Sequence, residues 1–219
     1  MSAPATLIGI FTKPRTTFQA LSARPRVLAP ILLVLLFQLA LGMVLAQSGV
    51  IKNDMVAQLE AKNTPPEQMD RAVGMMEGPA KYVIATFGPI AVVFSLLVAA
   101  ALLYFMANLM LGAKLRYVHY LCIAAYGAVV GIPDQLVRTA LAVSRGTLMV
   151  NLGIGAFLGG DELTGIMRIL DTATDPLLLW ATAIEALGVA VMARKSFGFG
   201  VLVVLPGFVL LLLLSSLRH

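Results

Sequence analysis

No charged side chain occurs from Val27 to Ile51, from Tyr82 to Ala113 or from Ser196 to Leu217. Each run reaches or exceeds the ~20 apolar residues that a helix needs to cross about 30 Å of hydrocarbon. Two further segments, Tyr117–Val143 and Leu177–Ala193, are nearly as apolar but hold Asp134 and Arg138 in the first and Glu185 in the second. With 59% hydrophobic and 12% charged residues and a mean hydropathy of +0.92, the chain falls outside ordinary soluble domains, which carry about 25% charged residues. It reads as an all-α integral membrane bundle, one membrane domain over residues 1–219. Five transmembrane helices are expected at about 27–49, 83–111, 117–142, 176–193 and 196–217, with a short N-terminal interfacial helix before them.

The third span carries the most information. At about 100° per residue, Tyr120, Ala124, Gly127, Gly131, Asp134 and Arg138 fall on one helical face. A charge at the centre of a span costs about 2.5–3.5 kcal/mol on insertion scales, so that face should look at protein. Gly127 and Gly131, followed by Pro133, form a small-residue stripe suited to close helix packing. The spacing predicts that spans three and four meet through these glycines and that Arg138 bridges Asp134 and Glu185. This buried charge cluster is either structural or a proton- or ligand-binding site.

Ahead of the first span, Phe11 and Phe18 lie on one stripe with Leu7 and Leu21, and Lys13, Arg15, Arg24 and Arg26 supply positive charge without an acid. Pro14 suits the first turn of a helix. The pattern predicts a short helix on the membrane surface, with Phe11, Phe18 and Leu21 toward the acyl chains and anionic lipid as the partner of its bases. Residues 52–81 mix both signs of charge around Pro65–Pro66 and read as an outer loop with two short, Met-rich amphipathic helices. The glycine-rich run at 146–160 is too short to cross and is either re-entrant or interfacial.

Charge sets the topology. Lys13, Arg15, Arg24, Arg26, Lys114, Arg116, Arg194 and Lys195 fall on one side of a five-span chain with no acid among them, which predicts a cytoplasmic N-terminus and an outer C-terminus. The histidines are His119 and His219 and the single cysteine is Cys122, so neither a disulfide nor a nitrogen and sulfur metal cluster is expected. No G-x-S-x-G, H-E-x-x-H or phosphate-loop motif occurs. Accordingly no catalysis, cofactor, metal or nucleic-acid partner is expected.

Several short elements carry a resemblance. The opening IFTKPRTTFQALSARPRVLAP, with Pro14, Phe18, Pro25 and Pro30, resembles the entry to bacterial members of the Yip (Ypt-interacting protein) domain family. The loop ending MMEGPAKY, the AYGAVVGIP element with Tyr126 and Pro133, and DPLLLW with Asp175 and Trp180 followed by Gly188 are similar to that family in order and spacing. The resemblance implies a five-span, multi-pass protein of the bacterial inner membrane, in a family associated in eukaryotes with Rab-type GTPases and membrane trafficking. The favoured reading is an integral membrane scaffold or adaptor that organises membrane or docks a protein partner or a second copy of itself. The alternative is a small transporter or lipid-handling protein using Asp134, Arg138 and Glu185. An intramembrane enzyme would need a facing nucleophile and base, which the sequence does not offer.

Overall fold

The computed structural model describes residues 2–77, 80–158, 163 and 165–216, and among these it is helical throughout, without a strand. Gly78 and Pro79 of the MMEGPAKY loop, Gly159 and Gly160 of the glycine-rich run and Leu217 at the end of the fifth expected span lie outside the described residues. The helices are α1 (Ala3–Thr12), α2 (Pro14–Ala23), α3 (Leu28–Ser48), α4 (Val50–Ala61), α5 (Pro66–Glu77), α6 (Ala80–Tyr104), α7 (Tyr117–Val130), α8 (Ile132–Arg145), α9 (Gly165–Thr174), α10 (Pro176–Ala193) and α11 (Phe197–Ser215). Five segments are long and apolar enough to cross a membrane: Leu28–Ser48, Thr86–Met110, Tyr117–Arg145, Pro176–Ala193 and Phe197–Ser215.

The third of these is the centre of the bundle. In its most apolar stretch 50% of residues are buried, against 17% for α3 and for α11, and α7 packs against α1, α3, α6 and α10. Tyr120, Ile123, Tyr126, Val129 and Val130 of α7 are almost fully enclosed. The span is broken at Gly131, between α7 and α8. Pro133 has no N–H to donate to the Val129 carbonyl, and its ring would collide with that carbonyl in an unbroken helix, so a new helix starts with the proline in its first turn. The break sends α8 against α3 and toward the start of α10, which decides where Asp134 and Arg138 point.

The turn between α6 and α7 is held by a polar knot. A π-helical turn, Phe105–Met110, ends α6. There Asn108 Oδ1 accepts the Tyr120 hydroxyl at 2.5 Å, while Asn108 Nδ2 donates to the Leu115 carbonyl at 2.6 Å. Tyr120 also stands edge-on to Tyr104, ring centroids 5.9 Å apart. One Asn108 side chain thereby pairs both the Tyr120 hydroxyl and a backbone carbonyl of the connection to α7. At the far end of α3, Gly49 takes φ +77°, a left-handed conformation that glycine adopts without steric cost, and the chain passes into the polar α4–α5 hairpin. Gly200 allows α11 to lie directly on the Ala186 backbone of α10, where a side chain would have no room.

Candidate functional site

The acidic end of the bundle is organised by Arg138. Its Nε donates to both carboxylate oxygens of Asp134 at 3.0 Å, its Nη1 donates to the Val150 carbonyl at 3.0 Å, and its Nη2 pairs with Asp175 Oδ2. Asp134 sits one helical turn before Arg138 because four residues separate them on α8. Asp175 is placed by a different logic. It is the N-cap of α10, accepting from Leu177 N at 2.9 Å and Leu178 N at 3.2 Å, and Pro176 follows in the first turn. One carboxylate therefore starts a spanning helix and neutralises the guanidinium. Asp175 is fully enclosed, whereas the Arg138 side chain keeps 34% of its exposure.

The loop before α10 is tied to the same end. Asp171 Oδ1 accepts from the backbone N–H groups of Gly153 and Gly155, each at 2.9 Å, and Thr174 Oγ1 accepts from Ile154 N at 2.9 Å. Asp171 is buried, so these bonds satisfy its charge in place of water. Around this anchor, Ile154, Phe157 and Leu158 of the glycine-rich run are exposed, as are Ile166 and Leu170 of α9.

Glu185 does not join the cluster. The geometry brings Asp134 and Arg138 together as the helical spacing predicts, but the third member is Asp175, two turns and more ahead of Glu185 on α10. Arg138 lies on α8, which meets the start of α10, whereas Glu185 packs on α7, where its carboxylate fills the space that a Cβ on Gly127 would need. Gly127 is thus a true contact between spans three and four. Around Gly131 a Cβ would meet only carbonyls of its own turn, so no contact between helices depends on this glycine. The Asp-Pro pair ahead of an apolar run is an N-cap signature, and it is the signal that could have placed Asp175.

On its other side Glu185 lines a cavity of about 450 Å³ bounded by α6, α10 and α11, with walls that include Phe94, Val98, Leu178, Val203 and Phe208. Ser95 and Thr182 also face it, but their hydroxyls donate to the Val92 carbonyl at 2.9 Å and the Leu178 carbonyl at 2.8 Å. What they leave to the cavity is acceptor capacity.

The N-terminal residues are placed differently from the surface helix expected of them. Phe18 and Leu21 are in the core, 0% and 1% exposed, instead of facing acyl chains. The reason is Gly188 of α10, whose missing side chain makes a seat for the Phe18 ring: a Cβ there would lie 2.8 Å from Phe18 Cζ. Phe11 stays 40% exposed and leans on Trp180, ring centroids 5.8 Å apart. Tyr126 of α7 donates its hydroxyl to Thr6 Oγ1 at 2.9 Å, which joins α1 to the central helix. Lys13 forms the corner between α1 and α2, with Pro14 opening α2. Arg15 lies beside Arg194 and Lys195, and Arg24 and Arg26 line a small cleft with Thr6 and Leu21. Among the described residues no group of three or more His, Cys, Asp or Glu side chains is arranged to hold a metal ion.

Compared with known families, residues 8–217 match the model described as the Yip1 domain. No curated protein and no solved structure matches the chain.

Proposed function

Because the chain belongs to the Yip1 domain family of multi-pass membrane proteins, we propose that it is a membrane scaffold or adaptor, docking a protein partner and organising the bilayer around it rather than catalysing a reaction. The observation that carries this reading is the α4–α5 hairpin. It is joined to the bundle through α3 and α6 and presents Gln58, Glu60, Lys62, Glu67, Asp70 and Arg71 as exposed polar surface outside the apolar spans. A surface of mixed charge favours a protein partner with complementary charges over lipid. Charge distribution supports a cytoplasmic N-terminus with the hairpin on the outer side, and the resemblance to bacterial members of the family supports the bacterial inner membrane as the location. Photo-crosslinking residues at Gln58 and Glu67 test the docking role in native membranes. The expected result is one discrete adduct, lost when Lys62 and Arg71 are reversed in charge; no adduct at either position rejects it.

A second reading, a small transporter or lipid-handling protein, rests on the Glu185 cavity. An apolar cavity of about 450 Å³ with one carboxyl and spare hydroxyl acceptors suits an amphiphile that brings a hydrogen-bond donor into the membrane. Under this reading Glu185→Gln abolishes flux of a long-chain amine in proteoliposomes, whereas a scaffold is unaffected.

A further inference from the structure

Docking of α2 on α10 creates a cleft of about 310 Å³ lined by Arg15 and Gln19 of α2 and by Ala190, Val191, Arg194 and Lys195 at the end of α10. Three cations from two distant parts of the chain converge there, with no acid in the lining. None of the three makes a salt bridge among the described residues. The end of a helix attracts bases, which accounts for Arg194 and Lys195 beside the α10 carboxyl end. It does not account for Arg15, in the first turn of α2, where the helix dipole disfavours a cation. Seating Phe18 on Gly188 therefore forces Arg15 toward two like charges, and their repulsion opposes the docking. An anion shared by all three reverses the sign of that interaction.

We infer that this cleft binds the phosphodiester headgroup of an anionic phospholipid. The cleft lies where α10 ends its span, at headgroup level, and Ala190 and Val191 give it an apolar floor continuous with the span. Arg15, Arg194 and Lys195 supply guanidinium and ammonium donors for phosphate oxygens, and the Gln19 amide adds a neutral one. Bound lipid clamps the α1–α2 hairpin to the bundle. This site is independent of the docking role assigned to α4–α5.

The test titrates phosphatidylglycerol into the full-length protein in detergent, with retained lipid read by native mass spectrometry and thermal unfolding followed in parallel. Arg15→Gln, Arg194→Gln and Lys195→Gln combined should weaken retention at least tenfold, while Lys114→Gln with Arg116→Gln, at the other basic turn, should change it less than twofold. In phosphatidylcholine alone the triple variant should melt at or above the wild type, since it removes repulsion, and phosphatidylglycerol should raise the melting temperature of the wild type only. Equal retention by the triple variant overturns the site, as does an equal loss in the control pair, which would mean diffuse attraction to charged lipid. A triple variant that melts well below the wild type in phosphatidylcholine overturns the repulsion argument. Inorganic phosphate stabilising the wild type as strongly as the lipid does would replace the lipid with a free anion.

Discussion

Arg138 is the residue whose removal should be felt most at the acidic end. Without it, Asp134 and the enclosed Asp175 face each other with nothing between them. Breaking a buried pair by deleting one partner costs about 3–5 kcal/mol, and the partial exposure of Arg138 reduces this to about 2–3 kcal/mol in Arg138→Leu. The two carboxylates are not equivalent in the rescue. Adding Asp175→Asn keeps an N-cap acceptor for α10 while removing the enclosed charge, so it should restore more stability than adding Asp134→Leu. Thermal unfolding of the three variants in nanodiscs decides this, and equal rescue by both would mean that the charges act at long range without contact. Gly127 offers a second, independent cycle. Gly127→Ala should cost about 1–3 kcal/mol through overpacking against Glu185, and Glu185→Ala should relieve most of it. Additive losses in the double variant would separate the two residues.

At the level of elements, the largest side chain that holds α2 is the Phe18 ring in its glycine seat, with Leu21 enclosed beside it. Phe18→Ala removes a fully enclosed aromatic side chain, for which about 3–5 kcal/mol is typical. Gly188→Val should fill the seat and expel the hairpin without touching α2 itself. In both variants a spin label at Gln19 should become mobile; a label that stays immobile in both would show that Tyr126–Thr6 and Phe11–Trp180 hold the hairpin by themselves. The five apolar segments were legible because bilayer thickness fixes the length of any spanning helix, and the Asp134–Arg138 pair because four residues make one turn. The destination of Phe18 was not legible: an aromatic stripe beside basic residues looks the same whether it faces lipid or a glycine on another helix. Nor was the partner of Arg138 beyond its own helix. Glu185 stood at a plausible depth, but the break at Gly131–Pro133 turns α8 toward Asp175, and periodicity says nothing about the direction a helix takes after a break.

Across the whole molecule, charge is distributed by end. Arg15 with Arg194 and Lys195 gather where α2 packs on the last turns of α10, Arg24 with Arg26 line a cleft beside the end of α2, and Lys114 and Arg116 mark the turn from α6 into α7. Asp134 of α8, Asp171 of α9 and Asp175 at the N-cap of α10 gather at the end where α10 begins, and the α4–α5 hairpin adds Asp54, Glu60, Glu67 and Asp70. At the basic end His119 of α7 meets the Ser22 carbonyl of α2, 3.3 Å from Nε2, so α7 begins beside the end of α2. A bilayer that retains positive loops on its cytoplasmic side should hold the molecule with α2 inward and α4–α5 outward. The prediction concerns two positions that the fold keeps apart. After Cys122 is replaced by Ala, a cysteine at Ala61, at the end of α4, should react with a membrane-impermeant maleimide added outside. A cysteine at Ser196, between α10 and α11, should react only after the membrane is opened. The Cys122 replacement itself is small, since that thiol is enclosed and makes one long contact, 3.8 Å, with the Arg26 carbonyl. Outside labelling of Ser196 with protection of Ala61 would invert the topology and place the basic cleft on the outer leaflet. Labelling of both from outside would require an even number of spans between them, against the three spanning segments that the fold places there.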